Sequence, residues 1–146
     1  MSTNTPVHID EKLATTLEEA FDKKLPIVVA YADADGQPHI SFRGSVQGHS
    51  VRQLAIWIRE PQGGLLRALP NNPRLTLMYR DPANKITYFI YGHAHVENDA
   101  VIAKTIYEKS PKGERDRDPE MGGVAIVIDV DAIEGGTADN RVKMRG

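Results

Sequence analysis

At 146 residues, with 40% hydrophobic and 26% charged side chains, the chain can bury one core unaided and is too ordinary in composition for a disordered or collagen-like protein. A formal net charge of -2 and a pI near 6.2 supply no general pull toward nucleic acid, and no basic stripe interleaved with aromatics is present. Zero cysteines exclude disulfides, thiol catalysis and thiolate metal sites, and no apolar run reaches membrane-spanning length. The expectation is one cytoplasmic domain over 1–146, with its core at about 10–136, flexible termini, and neither membrane nor nucleic acid as partner.

Asp10 is placed to cap a helix whose apolar residues Leu13, Leu17, Ala20 and Phe21 recur at helical spacing, with Glu18, Glu19, Lys23 and Lys24 toward water. Pro26 ends it. Residues 27–32 form an unbroken apolar run rich in β-branched residues, expected to be a strand buried on both faces. Asp33-Ala34-Asp35-Gly36 reads as a turn. The following strand, 38–46, puts His39, Ser41, Arg43 and Ser45 on one face, a row of donors. Residues 47–50 read as a second turn.

The stretch 54–81 organises the rest. It reads as a strand (54–59), a loop carrying Arg59, Gly63 and Gly64, a short helix (about 65–69) and a strand (74–80) opened by Asn-Asn-Pro. Such a unit aims unpaired backbone N–H groups and a guanidinium at one point, which suits an anion. The preceding hairpin brings Arg43 and Ser45 beside it, so two arginines and two small donors are expected to converge. Trp57 shares the parity of Ala55 and Arg59 and reads either as the wall of a ligand site or as a core aromatic.

After a turn at 81–84, a long strand (85–96) carries Ile86, Tyr88, Ile90, Gly92, Ala94 and Val96 on its core face. Thr87, Phe89, Tyr91, His93 and His95 lie on the other, which is too aromatic for plain solvent and points to a partner subunit or a ligand. His93-x-His95 has no recognisable third ligand, so no metal is assigned. A helix over 100–109, capped by Asn98 or Asp99, turns Ile102, Ala103, Ile106 and Tyr107 inward. Residues 110–120 read as a mobile charged loop and 124–133 as a last apolar strand, with Asp129 and Asp131 solvated. The final ten residues show no packing pattern and are expected to be disordered or to reach across a dimer. The fold class is mainly β with peripheral helices, a six-stranded closed or split β-barrel.

The order and spacing of G-x-P-H-x-S, W-x-R, L-x-x-N-P-R-L, Y-R-D-P and Y-G-H-A-H-V, over about Leu25 to Glu134, resemble the pyridoxamine 5'-phosphate oxidase-like, FMN-binding split-barrel family. The resemblance implies a homodimer with two identical FMN sites at the subunit interface. Carried over residue by residue, it places Arg43, Ser45, Arg59, Gly63 and Gly64 near the phosphate and counts Leu65 among the cofactor-binding residues. Ser41, Phe42, Trp57 and Ile58 then lie along the isoalloxazine ring or its ribityl chain. Many members have S-x-K where this chain has Gly63-Gly64-Leu65, so a hydroxyl and a lysine are missing, and Arg59 or Arg67 is the substitute. The implied function is FMN-dependent oxidation or reduction of a small-molecule substrate. Alternatives are a non-catalytic carrier of flavin, deazaflavin or haem, and a cofactor-free dimeric scaffold. No side chain presents itself as a proton donor, so no catalytic residue is assigned; Tyr91, His93 and His95 are the first positions to mutate.

Overall fold

The computed structural model describes residues 5–146. Along them run α1 (Glu11–Glu18), β1 (Ile27–Ala32), β2 (Pro38–Arg43), β3 (Gln47–Ser50), β4 (Gln53–Ile58), α2 (Gly64–Ala68), β5 (Arg74–Asp81), β6 (Ile86–Val96), α3 (Ala100–Lys109), α4 (Lys112–Arg115), β7 (Val124–Gly136) and β8 (Arg141–Arg145). The strands pair antiparallel into one sheet in the order β2-β1-β5-β6-β7-β4-β3, with β8 also on β7. Eight strands are therefore present among the described residues where six were expected. The path ends at β2 and β3, which do not pair with each other.

The long β7 holds the sheet together. One edge pairs with β6; the other pairs with β4 over its first half and with β8 over its second. β8 is the segment expected to lack packing. Its Val142 and Met144 pack against the core while Arg141, Lys143 and Arg145 stay exposed, an alternation too short to stand out in the sequence. β3, expected to be a turn, is polar because its buried Gln47 reaches sideways, donating from Nε2 to the carbonyls of Ser45 (3.3 Å) and Ile106 (3.1 Å).

The inner face of the sheet carries Ile27, Val29, Leu54, Ile56, Ile58, Leu75, Leu77, Tyr79, Ile90, Ile126 and Ile128, closed over by Val7, Ile9, Leu13 and Leu17. Asp10 caps α1 as expected, accepting from the Leu13 N–H at 2.8 Å. Glu18, expected to face water, instead accepts from the Gly48 N–H at 2.9 Å and fastens α1 to β3. On the outer face, Ala55, Trp57, Ala125 and Val127 form a second cluster with Ile106 of α3. Burial on both faces thus belongs to β4, where α3 supplies the second cover, and not to β1, whose Val28 and Ala30 remain half-buried. Ile102 of α3 is exposed rather than inward.

The stretch 110–120 is also more structured than expected. It contains α4, and Asp118 accepts from the N–H groups of Gly122 and Gly123 and from Trp57 Nε1. Beyond the cover of α3, the outer face carries an apolar patch: Phe42, Val28, Met78 and Phe89 stand in one cross-strand row, and Ile40, Ala30, Thr76 and Tyr91 in the next but one. Phe42 and Ile40 are 70% and 74% exposed.

Candidate cofactor groove

His39, Ser41 and Arg43 alternate along β2, and their direct partners on β1 are Tyr31, Val29 and Ile27. Val29 and Ile27 belong to the core, so the row of donors lies on the inner sheet face, extending it past the core at an edge strand. The loop after β4 and the start of α2 close over that row. Between them lies a cavity of about 190 Å³ whose lining includes Ser41, Arg43, Ile58, Gly63, Gly64 and Leu65. A second cavity of about 290 Å³ shares Tyr31, His39 and Gly64 with the first and adds Asp33, Arg67 and Asn71. The two form one groove. A Cβ on Gly64 would meet the Tyr31 hydroxyl, so a larger residue there would push the Tyr31 side chain aside. Ser41 Oγ and Arg43 Nε are both buried and lack a hydrogen-bond partner among the described residues. Such atoms are costly unless a further group completes them.

The arginines are not free. Arg43 Nη1 donates to Glu60 Oε2 at 3.0 Å, Arg59 Nη2 lies 3.9 Å from Glu60 Oε1, and Arg59 Nε lies 3.4 Å from Glu114 Oε2. Two guanidiniums therefore alternate with two carboxylates. Burial raises the Glu60 pKa, but the hydrogen bond from Arg43 and the charges of Arg43 and Arg59 outweigh it and hold the carboxyl below its usual range. A phosphate entering here competes with an ionised Glu60, while Arg43 Nε and Ser41 Oγ remain open to it. Neither glutamate was singled out in the sequence, because each meets its arginine only through tertiary folding. The adjacency of Arg59 and Glu60 was the one available signal.

The remaining expected site residues lie elsewhere. Ser45 Oγ donates to the Trp57 carbonyl and accepts from the Trp57 N–H, both at 3.0 Å, so it is spent on pinning β4. Trp57 is buried beneath α3, edge-on to Tyr107 at 5.1 Å, and donates to Asp118 Oδ2 at 2.8 Å. Of its two readings, the structure places it as a core aromatic. Arg59 has the same parity and turns toward Glu114, while Phe42 points out of the sheet face away from the groove. The expected helix start has only five residues, and the Gly63 N–H already donates to the Glu60 carbonyl at 3.0 Å, so the helix contributes little to anion binding. Of the carried-over set, the groove gathers Ser41, Arg43, Ile58, Gly63, Gly64 and Leu65. His93 Nδ1 faces Asp131 at 3.0 Å and His95 Nδ1 faces Asp129 at 3.4 Å, on the sheet face away from the groove.

No family model matches the sequence, and no curated protein matches it. Solved structures do. A Clostridium acetobutylicum protein related to general stress protein 26 of B. subtilis, of the pyridoxinephosphate oxidase family, is 13% identical, with a TM-score of 0.67 over 94% of this chain and 96% of its own. General stress protein 26 of Bacillus anthracis is 21% identical, with a TM-score of 0.65 over 91% and 95%. An F420 reductase is 16% identical, with a TM-score of 0.56 over 75% and 88%. The chain therefore has the fold of the pyridoxamine 5'-phosphate oxidase-like proteins, as the resemblance in its sequence implied. No helix of the described residues is long and apolar enough to cross a membrane.

Proposed function

We propose that the groove between β2 and α2 holds FMN and that the chain is a flavin-dependent oxidoreductase of a small molecule, working in the cytoplasm as a homodimer of split barrels. The observation that supports this most is the pair of buried, unpartnered donors, Ser41 Oγ and Arg43 Nε, lining a cavity in this fold. Arg43 and Ser41 hold the phosphate, and Ile58 and Leu65 give the groove an apolar wall. Gly63 and Gly64 let the backbone come close. Bound flavin supplies the two-electron chemistry; the chain orients it and keeps one ring face reachable.

The alternation of β2 supports the dimer reading. The residues between its groove-facing donors, Ile40 and Phe42, are apolar and exposed, and they continue into Val28, Met78 and Phe89. A second copy laid on that face by two-fold symmetry covers it and walls the groove from the same strand. The missing hydroxyl and lysine at Gly63 and Leu65, together with the likeness to an F420 reductase, support a second reading in which the cofactor is a deazaflavin.

The test is the visible absorption spectrum of purified protein before and after excess FMN and desalting. Retained flavin bands support the assignment. Arg43→Gln is expected to lose about 10-fold or more in affinity, the worth of one charge-assisted hydrogen bond. Arg59→Gln, on the Glu114 side, loses less. No retained flavin overturns the FMN reading, and retention of F420 alone selects the second.

A further inference from the structure

The turn between β1 and β2 commits one carboxylate entirely to orientation. Asp33 Oδ1 accepts the N–H groups of Asp35 and Gln37 at 2.9 and 3.0 Å, and Oδ2 stands 2.8 Å from His39 Nε2. His39 is the direct cross-strand partner of Tyr31, and their rings stack at 5.0 Å and 13°. Both rings line both cavities of the groove. A carboxylate on Nε2 keeps a proton there, which leaves Nδ1 as the ring nitrogen without a partner among the described residues. A hydrogen-bonded carboxylate holding a ring that lines a cavity, with one ring nitrogen left free, is an arrangement by which proteins aim an imidazole at a ligand.

We propose that this end of the groove is a subsite for a planar small molecule bearing a carbonyl, quinone or carboxylate oxygen, with His39 presenting a proton to that oxygen from Nδ1 and Asp33 as its positioning residue. The charged groups around the ring are Asp33 and Asp35 from the turn, Arg43 from β2 itself, Glu60 from the loop after β4 and Arg67 from α2, with the Tyr31 hydroxyl from β1. With a neutral imidazole, three carboxylates face two guanidiniums. A proton on Nδ1 balances them, so an anionic oxygen binds together with a proton. Reducing a carbonyl or quinone by two electrons needs that proton: the substrate takes a hydride from the reduced flavin and a proton from Nδ1. The ring is left neutral, with its Nε2–H still on Asp33. This chemistry rests on the flavin reading; the subsite does not.

The test uses benzoate as probe on the full chain without flavin, followed by NMR. Benzoate is planar and stays a monoanion between about pH 5 and 8, where an imidazole changes charge. Wild type is expected to show saturable shifts at Tyr31, His39 and Arg67, with affinity falling about 10-fold or more from the acid to the alkaline end of that range. His39→Gln binds at the weak alkaline level throughout. Asp33→Asn lowers the affinity at the acid end and alters the His39 ring 15N shifts that report its tautomer, which loss of a merely structural turn does not do. Absence of saturable shifts at these residues, pH-independent binding, or equal affinities for wild type and His39→Gln overturns the proposal. Failure of the flavin reading appears separately, as loss of retained FMN with benzoate binding intact.

Discussion

Glu60→Gln is expected to tighten FMN while leaving riboflavin unchanged. The Glu60 carboxylate lies 3.0 Å from Arg43 Nη1 and 3.9 Å from Arg59 Nη2, with its side chain 50% exposed. A phosphate dianion seated on Arg43 comes within about 5 Å of it. At that separation, with an effective dielectric of about 40, the repulsion is about 3 kcal/mol, and salt at a half-exposed position removes roughly half of it. The amide keeps an oxygen for Arg43, so little is lost in exchange. The net expectation is ~1–2 kcal/mol, a gain of about 5- to 30-fold in FMN affinity. Riboflavin carries no phosphate and feels none of this. Quenching of flavin fluorescence, titrated for both ligands at low and high salt, reads the difference, which narrows as salt rises. Equal shifts for the two flavins, or weaker FMN binding, refute the placement of the phosphate beside Glu60.

Asp118→Ala leaves Trp57 Nε1 and the N–H groups of Gly122 and Gly123 without their acceptor and is expected to cost about 2–3 kcal/mol; urea unfolding followed by the fluorescence of the single tryptophan measures it, and a loss below ~0.5 kcal/mol contradicts it. Acid stability follows from carboxyls held below their ordinary values. Asp33 is held down first by the hydrogen bond from His39, and Asp81 first by that from Asn84. In Asp118, burial opposes the shift and the Trp57 and glycine N–H bonds prevail. A depressed folded pKa contributes stability above the unfolded value of 3.8, and that contribution is lost as pH falls through the lower folded value. The urea midpoint is therefore expected to stay level from neutrality to about pH 5 and to fall below about pH 4; a midpoint that rises on acidification contradicts this. Phe42→Glu places a charge in the outer apolar row, and sedimentation is expected to show a monomer with unchanged circular dichroism. An unchanged dimer mass moves the interface elsewhere.

Local patterns carried much of the fold. The β-branched run at 27–32 and the capped helix at 100–109 stand where residue type and spacing put them, because both are decided within a few neighbours. β3 was not legible, since Gln47, Gly48, His49 and Ser50 carry no strand propensity and are held by partners outside the segment. β8 was missed for a related reason: its alternation acquires meaning only against β7. In the groove, the donor row of β2 was visible as period-2 spacing, and Gly63 and Gly64 as a loop that approaches closely. The parity of Trp57 and Arg59 was visible too, but parity alone does not say which sheet face holds the ligand. That choice is made by α3, which covers Trp57, and by Glu114, which draws Arg59 away. Glu60 and the Asp33–His39 pair are likewise products of folding.

In the proposed complex FMN sits between β2 and α2. Backbone NMR of the full chain titrated with FMN tests it most directly. The largest shifts are predicted at Ser41, Arg43, Ile58, Gly63 and Gly64, with little change at Ser45 or Trp57. Saturation with shifts centred on His93, His95 and the outer sheet face, or no saturable shifts at all, contradicts the account.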